Sequence, residues 1–298
     1  MTGVDAERAR PAGAPGFSDA VTFAFADAAG GLCGLARVGL SGADGDRAGS
    51  ALGVLFAERE PVAVLAHGAV PVAAGAGFER LELPGLAATV EEPLQRWTVA
   101  FSGERDQGFE LTFEALGPPA ELGEDEPAAL AGGMTGYEQL CLVHGTVRAG
   151  GRAHELRCLG QRGHSWGEPD WSRIETTRTL TAWLDDGTGL SLTAVRRADA
   201  AGHGAEATWA ALLGRAGSVR VDDPRLSTTY DEAGRQRRAG LELWVGEDDA
   251  YPRRASGELL CGSTLDLGQL RLDCAFFRWH LDGREGIGRY DLLRRTLA

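Results

Sequence analysis

The 298-residue sequence contains no lysine, so all thirty of its basic residues are arginines. Without lysine the chain cannot form a Schiff base, hold a nucleotide with a P-loop lysine or use a Ser-Lys dyad. Positive charge is also scarce, since the formal net charge is −13 and the pI is near 5.0. Nucleic acids and anionic membranes bind basic surfaces, so neither is an expected partner.

Cysteine and long apolar runs are scarce as well. The five cysteines have no paired short spacing, which predicts a reduced set in an intracellular protein. Cys141 and His144, three apart on a predicted strand, point to opposite faces, and no Cys-x-x-Cys or His-x-His pair exists. We therefore expect no metal site, and nothing implies a cofactor. No stretch approaches the length of a membrane span, so the expected location is cytoplasmic.

Apolar residues that alternate along the chain dominate the rest of the sequence. Val21, Phe23 and Phe25 alternate with small or polar residues, and this period of two returns at intervals of about ten residues. Eight short strands fit before residue 117. Later strands are predicted at 152–159, 174–184, 188–197, 205–213, 217–222, 239–246, 253–260, 270–281 and 286–295, with a helical turn as the alternative at 205–213. Strands without intervening helices predict an all-β protein of antiparallel barrels or sandwiches.

Glycine-rich segments separate these strands. Residues 1–16 lack periodicity and are predicted to be a loose tail. The segment from Gly117 to Gly133 is rich in proline, glycine and acid, which predicts an exposed loop. Gly283 to Gly288 lacks the full dinucleotide fingerprint, and we interpret it as a hairpin turn with a strand glycine where another backbone or side chain comes close.

The densest chemistry lies in the twelve residues from Gly160 to Trp171, which include an arginine, a histidine, a serine, two acids and two tryptophans. Their glycines and proline predict a loop rather than a helix or a central strand. Gly163 to Gly167 matches the Gly-x-Ser-x-Gly form of a nucleophile elbow, in which Ser165 would be the nucleophile. That elbow needs a parallel strand and a following helix, and neither is predicted. A serine hydrolase is therefore a remote alternative.

The chain resembles the superfamily of hydroxyneurosporene synthase (carotenoid 1,2-hydratase), and in particular its actinobacterial members. The resemblance is carried by Arg162-x-His164-Ser165-Trp166-Gly167-x-x-Asp170-Trp171, by Tyr137-Glu138-Gln139 and by Asp282-Gly283-Arg284-Glu285-Gly286-x-Gly288. It implies two lipocalin-like antiparallel β-barrels packed together, with an apolar ligand cavity near the motif where the barrels meet. It also implies a cofactor-independent hydratase, isomerase or cyclase that acts on an apolar terpenoid- or polyketide-like substrate.

A hydratase or isomerase of this kind needs an acid that protonates a carbon–carbon double bond and a surface that stabilises the cation. We assign the acid to Asp170, because the neighbouring Trp166 and Trp171 would raise its pKa and attract a cation. His164 or Tyr137 would place water or take back the proton. The reserve acids are Glu138 and Glu175. The predicted ligand-binding residues are Arg162, Trp166, Trp171, Glu138 and Gln161.

Two other interpretations stay open. Arg162 could simply pair with Asp170 while the two indoles hold a junction together, and the protein could be a non-catalytic carrier of an apolar ligand. The predicted organisation is a loose tail at 1–16, an N-terminal barrel at 17–158 and a C-terminal barrel with the motif at 159–298. The remaining tryptophans are predicted to line the barrel interiors; they are Trp97, Trp183, Trp209, Trp244 and Trp279.

Overall fold

The computed structural model describes residues 3–11, 16–29, 31–42, 47–185, 187–202, 205–246 and 251–296. In this part of the chain, 68% of the residues lie in strands, which form two antiparallel sheets that each curl into a lipocalin-like barrel. The predicted all-β fold class and its two barrels are therefore confirmed. Over the described ranges, no helix has both the length and the apolar character needed to cross a membrane.

The first sheet contains eleven strands within the described residues. They are β1 (Ser18–Ala26), β2 (Leu32–Ser41), β3 (Ala48–Ala57), β4 (Glu60–Pro71), β5 (Arg80–Leu83), β6 (Leu86–Glu92), β7 (Arg96–Ser102), β8 (Gly108–Ala115), β9 (Ala120–Leu122), β10 (Met134–Ala149) and β11 (Arg152–Gly167). Their order across the sheet is β4-β3-β2-β1-β11-β10-β8-β7-β6-β5, and β9 pairs with β10. The strand that carries the motif is thus central.

The second sheet contains nine strands in the described chain. They are β12 (Ile174–Leu184), β13 (Gly189–Arg197), β14 (Ala207–Gly214), β15 (Gly217–Arg220), β16 (Asp223–Tyr230), β17 (Gln236–Trp244), β18 (Arg253–Asp266), β19 (Leu270–Leu281) and β20 (Arg284–Arg295). Their order is β15-β14-β13-β12-β20-β19-β18-β17-β16. The described residues also form two short α-helices, α1 (Gly3–Ala6) and α2 (Pro127–Gly132), and a 3-10 helix at Glu104–Asp106.

Each barrel has its own apolar core, as the alternating pattern predicts. In the first barrel, Phe23 packs against Trp97 and Phe113 with ring centroids 5.4 and 5.1 Å apart. In the second, Phe277 stacks on Trp279 with centroids 5.7 Å apart. Trp97 and Trp279 therefore line barrel interiors, as predicted.

The prediction is wrong for three other tryptophans. The three are Trp183, Trp209 and Trp244. Each is adjacent in sequence to a core residue of its own strand and therefore lies on the opposite face of that strand; these core residues are Ala182, Leu184, Ala210 and Leu243.

The chain divides into two compact units at a different place from the prediction. One unit contains Met1–Glu121 and Thr135–Pro169, and the other contains Leu122–Met134 and Asp170–Ala298. The predicted boundary at residue 158 would cut through β11, which runs unbroken through most of the motif. The predicted loop from Gly117 to Gly133 also contains β9 and α2, and α2 is stable because Ala128, Ala129 and Gly132 are buried.

Most of the motif forms a strand rather than the predicted loop. Its glycines are compatible with a strand because neighbouring groups pack closely against the backbone at these positions. A Cβ on Gly160 would lie 2.6 Å from Val143, and a Cβ on Gly163 would overlap the Glu138 carboxyl group. A glycine in a strand lets a neighbouring strand or side chain approach more closely than any other residue allows. The proline and acids that suggested a loop come only after the strand ends at Gly167.

The interpretation of Gly283 to Gly288 is confirmed. Asp282 and Gly283 have positive φ angles of 51° and 78° at the turn between β19 and β20. Gly286 and Gly288 then lie so close to the backbone of β12 that a Cβ on either would overlap a carbonyl oxygen, of Trp183 and Thr181 respectively.

Replacing Gly288 with alanine should therefore destabilise the protein. We expect a loss of about 1–3 kcal/mol, because the backbone of β12 would have to move. The matched control is Gly68→Ala on β4, where no atom lies within 4 Å of an added Cβ. The two unfolding free energies can be compared by urea denaturation. Equal effects from the two variants would show that β12 does not constrain residue 288.

Candidate functional site

Two residues of the motif face the interior of the first barrel. On β11, Arg162 lies across from Phe23 and His164 lies across from Val21, both on β1. Cross-strand partners share a face of the sheet, and Phe23 and Val21 belong to the core, so Arg162 and His164 point inward. Their exposed fractions are 1% and 0%.

The charge of Arg162 is neutralised by Glu7, and not by Asp170 as one interpretation of the sequence proposed. Arg162 Nη2 lies 2.7 Å from Glu7 Oε1. The same carboxylate accepts hydrogen bonds from the Leu94 backbone N–H at 2.8 Å, from Trp97 Nε1 at 3.2 Å and from the Tyr137 hydroxyl at 2.9 Å. An ionised carboxylate can accept about four such bonds, so Glu7 is fully satisfied.

These contacts determine how Glu7 and Tyr137 titrate. Burial alone would raise the pKa of Glu7, but the charge of Arg162 and the hydrogen bonds from Leu94 and Trp97 outweigh it and lower that pKa. Burial raises the pKa of the Tyr137 phenol, although Arg162 opposes the shift. Glu7 is therefore held as the anion, and Tyr137 is held as a neutral hydrogen-bond donor.

His164 is held by two acceptors. Its Nε2 lies 2.7 Å from Asp19 Oδ1, and its Nδ1 lies 3.1 Å from the backbone oxygen of Ala6. Both ring nitrogens of His164 therefore have an oxygen partner. Both side chains of the His164–Asp19 pair are fully buried.

Residues 3–11, which we name the strap, cover this polar cluster and correct the prediction of a loose tail. The strap supplies the carboxylate of Glu7 and the carbonyl of Ala6, and the backbone N–H of Arg10 donates to Asp19 Oδ2 at 2.6 Å. The guanidinium of Arg10 also lies 4.1 Å from the ring centroid of Trp166. These polar contacts and the isolated apolar residues Ala6 and Ala9 hold the strap, so no apolar period marks it in the sequence.

Aromatic rings surround His164 beneath the strap. The ring centroids of Phe78, Tyr137 and Trp166 lie 5.2, 5.7 and 5.0 Å from the centroid of the imidazole. The predicted residues Tyr137, Arg162, His164 and Trp166 are thus brought together.

Other predicted site residues lie elsewhere. Gln161 and Glu138 bond to each other on the outer face of the first barrel, with Gln161 Nε2 2.9 Å from Glu138 Oε2. Trp171 belongs to the second compact unit. The reserve acid Glu175 is exposed and pairs with Arg196 at 3.1 Å.

The prediction that an apolar surround raises the pKa of Asp170 is wrong. Asp170 is exposed, and its Oδ1 accepts a hydrogen bond from the Ser172 backbone N–H at 3.0 Å. The hydroxyl and the N–H of Ser172 lower its pKa, whereas the prediction required an apolar surround that raises it. The turn after Pro169 faces solvent, so the neighbouring indoles in the sequence do not bury the carboxyl group.

The structure does not favour the serine hydrolase alternative, because Ser165 does not lie on a nucleophile elbow. Ser165 lies inside β11, where it pairs with Ala20 of the antiparallel strand β1. A nucleophile elbow places the serine on a sharp turn between a strand and a helix, and here the strand continues to Gly167.

A largely buried acid that the sequence did not reveal lies on β20 of the second barrel. The Asp291 side chain is 14% exposed, and its Oδ2 lies 3.3 Å from Arg289 Nε. Burial raises the pKa of Asp291, and the charge of Arg289 and a hydrogen bond from the Ala275 backbone N–H do not offset the increase. Asp291 therefore has the property that the prediction assigned to Asp170.

Asp291 lies on the face of the second sheet that is opposite to the barrel core, which we name the acid face. Tyr290, its neighbour on β20, points into the core, and the cross-strand partners of Asp291 are Thr179 and Cys274. The same alternation places further buried side chains on the acid face: Thr181, Trp183, Ser191, Trp209, Phe276 and Arg289. Polar and aromatic groups are therefore combined on one buried surface.

Several polar atoms of the acid face have no hydrogen-bond partner among the described residues. They are Asp291 Oδ1, Arg289 Nε, Ser191 Oγ and Trp209 Nε1. Buried polar atoms in proteins are nearly always hydrogen-bonded, so a group of exceptions on one face requires an explanation.

In the described chain, neither a cluster of metal ligands nor the groove on the second barrel indicates another candidate site. Across the described ranges, no three His, Cys, Asp or Glu side chains come close enough together to hold a metal ion. A groove of about 420 Å³ on the second barrel is lined by Thr229, Arg237, Arg238, Glu258 and Leu259, which include no buried acid.

The fold is shared with solved structures of low sequence identity. CghA in complex with Sch210972 matches with a TM-score of 0.65 and 12% identity, over 95% of this chain and 89% of CghA. A protein of Nitrosomonas europaea assigned as AttH matches at 0.66 and 15%, over 94% and 92% of the two chains. Kievitone hydratase from Nectria haematococca matches at 0.62 and 10%, over 99% and 93%. At these identities the similarity shows the fold alone.

A sequence profile also matches nearly the whole chain. It covers residues 2–295 and is described as a domain of unknown function, DUF7064. The comparison with curated proteins gives no match.

Proposed function

We propose that this chain, which belongs to the DUF7064 family, is a cofactor-independent enzyme of the hydratase, isomerase or cyclase type that acts on an apolar, terpenoid- or polyketide-like substrate. The fold that it shares with kievitone hydratase supports this class of reaction. We assign the role of general acid to Asp291 instead of Asp170.

The observation that carries this proposal is the environment of the Asp291 carboxyl group, which is largely buried and has a raised pKa. Protonation of a carbon–carbon double bond needs a carboxyl group that keeps its proton near neutral pH, and burial raises the pKa of Asp291 in that direction. Its Oδ1 is buried and accepts no hydrogen bond from the described chain, so this oxygen can carry the proton. The exposed Asp170 has neither property.

The surroundings of Asp291 suit the reaction. As the O–H bond of Asp291 breaks, its proton forms a C–H bond and a cation develops on the neighbouring carbon. The carboxylate that remains lies beside the positive charge of Arg289, 3.3 Å away. Trp183 and Phe276, whose rings lie 6.4 Å apart on the same face, present aromatic surface that attracts a cation.

The fate of the cation defines the product. If water adds to it, the product is an alcohol and the proton lost by that water restores Asp291. If a proton leaves the adjacent carbon, the double bond has moved. If a second double bond attacks, a ring forms and the new ring cation then loses a proton or adds water. In each case a proton returns to Asp291, so no cofactor is consumed.

Incubation in D₂O tests this proposal. The purified protein is incubated with a panel of isoprenyl alcohols, linear polyenes and polyketide-like polyenes, and the products are separated and analysed by mass spectrometry. We expect a product with one carbon-bound deuterium that is either heavier by one water molecule or of unchanged composition with a new retention time. Compounds that bind and are recovered unchanged and unlabelled would contradict the enzyme and favour the carrier.

A further inference from the structure

The donors around Glu7 form a site for a carboxylate inside the first barrel. Four groups from separate parts of the chain converge on the two oxygens, namely the Leu94 N–H, Trp97 Nε1, the Tyr137 hydroxyl and the Arg162 guanidinium. Trp97 and Tyr137 also lie 5.5 and 5.4 Å beneath the charged carbon of Arg162, which holds the guanidinium in place. The site is therefore rigid and positively charged.

The carboxylate that fills this site comes from the strap and not from a strand of the barrel. No part of residues 3–11 lies in a strand. The other buried arginines have partners in or next to the second sheet: Arg289 pairs with Asp291 two residues further along β20, and Arg178 pairs with Glu206 just before β14. Arg162 depends instead on a nine-residue segment whose Asp5 and Arg8 side chains are 68% and 62% exposed.

The strap also covers aromatic surface next to the carboxylate site. Ala6 lies over His164, around which the rings of Phe78 and Trp166 are packed, and Arg10 covers Trp166. If the strap leaves, the donors for a carboxylate and an adjoining patch of aromatic rings become accessible together. The ligand that matches both features is an acid with an apolar body.

We propose that Glu7 is the internal occupant of a binding site for the carboxylate end of an apolar acid, and that such a ligand binds by displacing the strap. Glu7 acts as a competitor, because the protein must release one carboxylate before it can bind another. The apparent affinity of the ligand is then reduced by the fraction of molecules in which the strap is closed. This inference does not depend on the chemistry assigned to Asp291.

Decanoate below its micelle concentration is a suitable probe, with decanol as the uncharged control. Trp97 and Trp166 lie within the site, so tryptophan fluorescence reports binding. In Glu7→Gln the competing charge is absent while the shape of the side chain is kept. We expect decanoate to bind this variant on the order of tenfold to a hundredfold more tightly than it binds the wild type, because a hydrogen-bonded charge no longer competes.

Displacement of the strap can be followed in the wild type by trypsin cleavage after Arg8. We expect decanoate to accelerate this cleavage and decanol to have no effect. Asp5→Asn is the matched control, since Asp5 is an exposed carboxylate on the same segment, and it should behave like the wild type. In Glu7→Gln/Arg162→Met both charges are removed, which avoids an unpaired buried charge, and decanoate should no longer bind.

Three results would overturn the proposal. The first is that decanoate and decanol act equally. The second is that the folded double variant, checked by circular dichroism, binds decanoate as Glu7→Gln does. The third is that neither the wild type nor Glu7→Gln responds to decanoate, in which case Glu7 is a structural counter-ion alone. Each of these results would leave the reaction test in D₂O unaffected.

Discussion

Glu7→Ala is expected to lower the free energy of unfolding by about 3–5 kcal/mol, because it leaves the charge of Arg162 buried without a partner. Arg162 is 1% exposed and could reach water only if the strap opened. The Leu94 N–H, Trp97 Nε1 and the Tyr137 hydroxyl would also lose their acceptor. Urea denaturation of the wild type and the variant measures the difference.

Two controls separate the ion pair from the loss of side-chain volume. Asp5→Ala removes an exposed carboxylate from the same segment and should change stability by less than about 0.5 kcal/mol. Glu7→Ala/Arg162→Met removes both charges and should recover most of the loss. A loss from Glu7→Ala as small as that from Asp5→Ala would mean that Arg162 does not depend on the strap.

The effect of Glu7 should also depend on pH. Because Arg162 lowers the folded-state pKa of Glu7 despite burial, the stabilisation is fully present above the ordinary glutamate pKa of about 4.3 and is lost as pH falls through the lower folded value. The difference in unfolding free energy between the wild type and Glu7→Gln should therefore shrink in acid.

Asp291→Asn is expected to lower turnover of a substrate found in the D₂O panel by about a hundredfold to ten-thousandfold, the range over which a general acid contributes. The amide keeps the size of the side chain but has no proton to transfer. Substrate binding should change little, so the loss should appear in kcat rather than in KM.

The matched control is Asp170→Asn, which removes the acid predicted from the sequence. Asp170 is exposed and its pKa is lowered, so this variant should turn over substrate at the wild-type rate. If Asp170→Asn loses activity and Asp291→Asn keeps it, the prediction from the sequence is restored and the assignment made here is wrong.

Much of the fold could be predicted because the buried faces follow a strict period of two. The bounds of β12 and β19 agree with the predicted 174–184 and 270–281. β16 (Asp223–Tyr230) was missed, because its residues are mostly polar and partly exposed and so carry little alternation. The motif was predicted to be a loop because glycine usually breaks a strand, and only the positions of Glu138 and Val143 reveal why glycine is needed there.

The site was predicted only in part, because its ion pairs join residues that are distant in sequence. Arg162 and His164 could be selected from the motif, but their partners Glu7 and Asp19 are more than a hundred positions away. One sequence signal was available for Asp19, since it is an acid on the inward-facing side of a strand with Val21 and Phe23. Asp291 gave no such signal, because it alternates with the buried residues Tyr290 and Leu292 as a solvent-facing acid would.

The central claim is that Asp291 holds its proton in the folded protein, and infrared spectroscopy tests it without a substrate. The difference spectrum between the wild type and Asp291→Asn is recorded at neutral pH. Because burial raises the pKa of Asp291, we predict that the carbonyl band of a protonated carboxyl group is present in the wild type and absent in the variant. A difference spectrum in which only ionised carboxylate bands are lost would contradict the account.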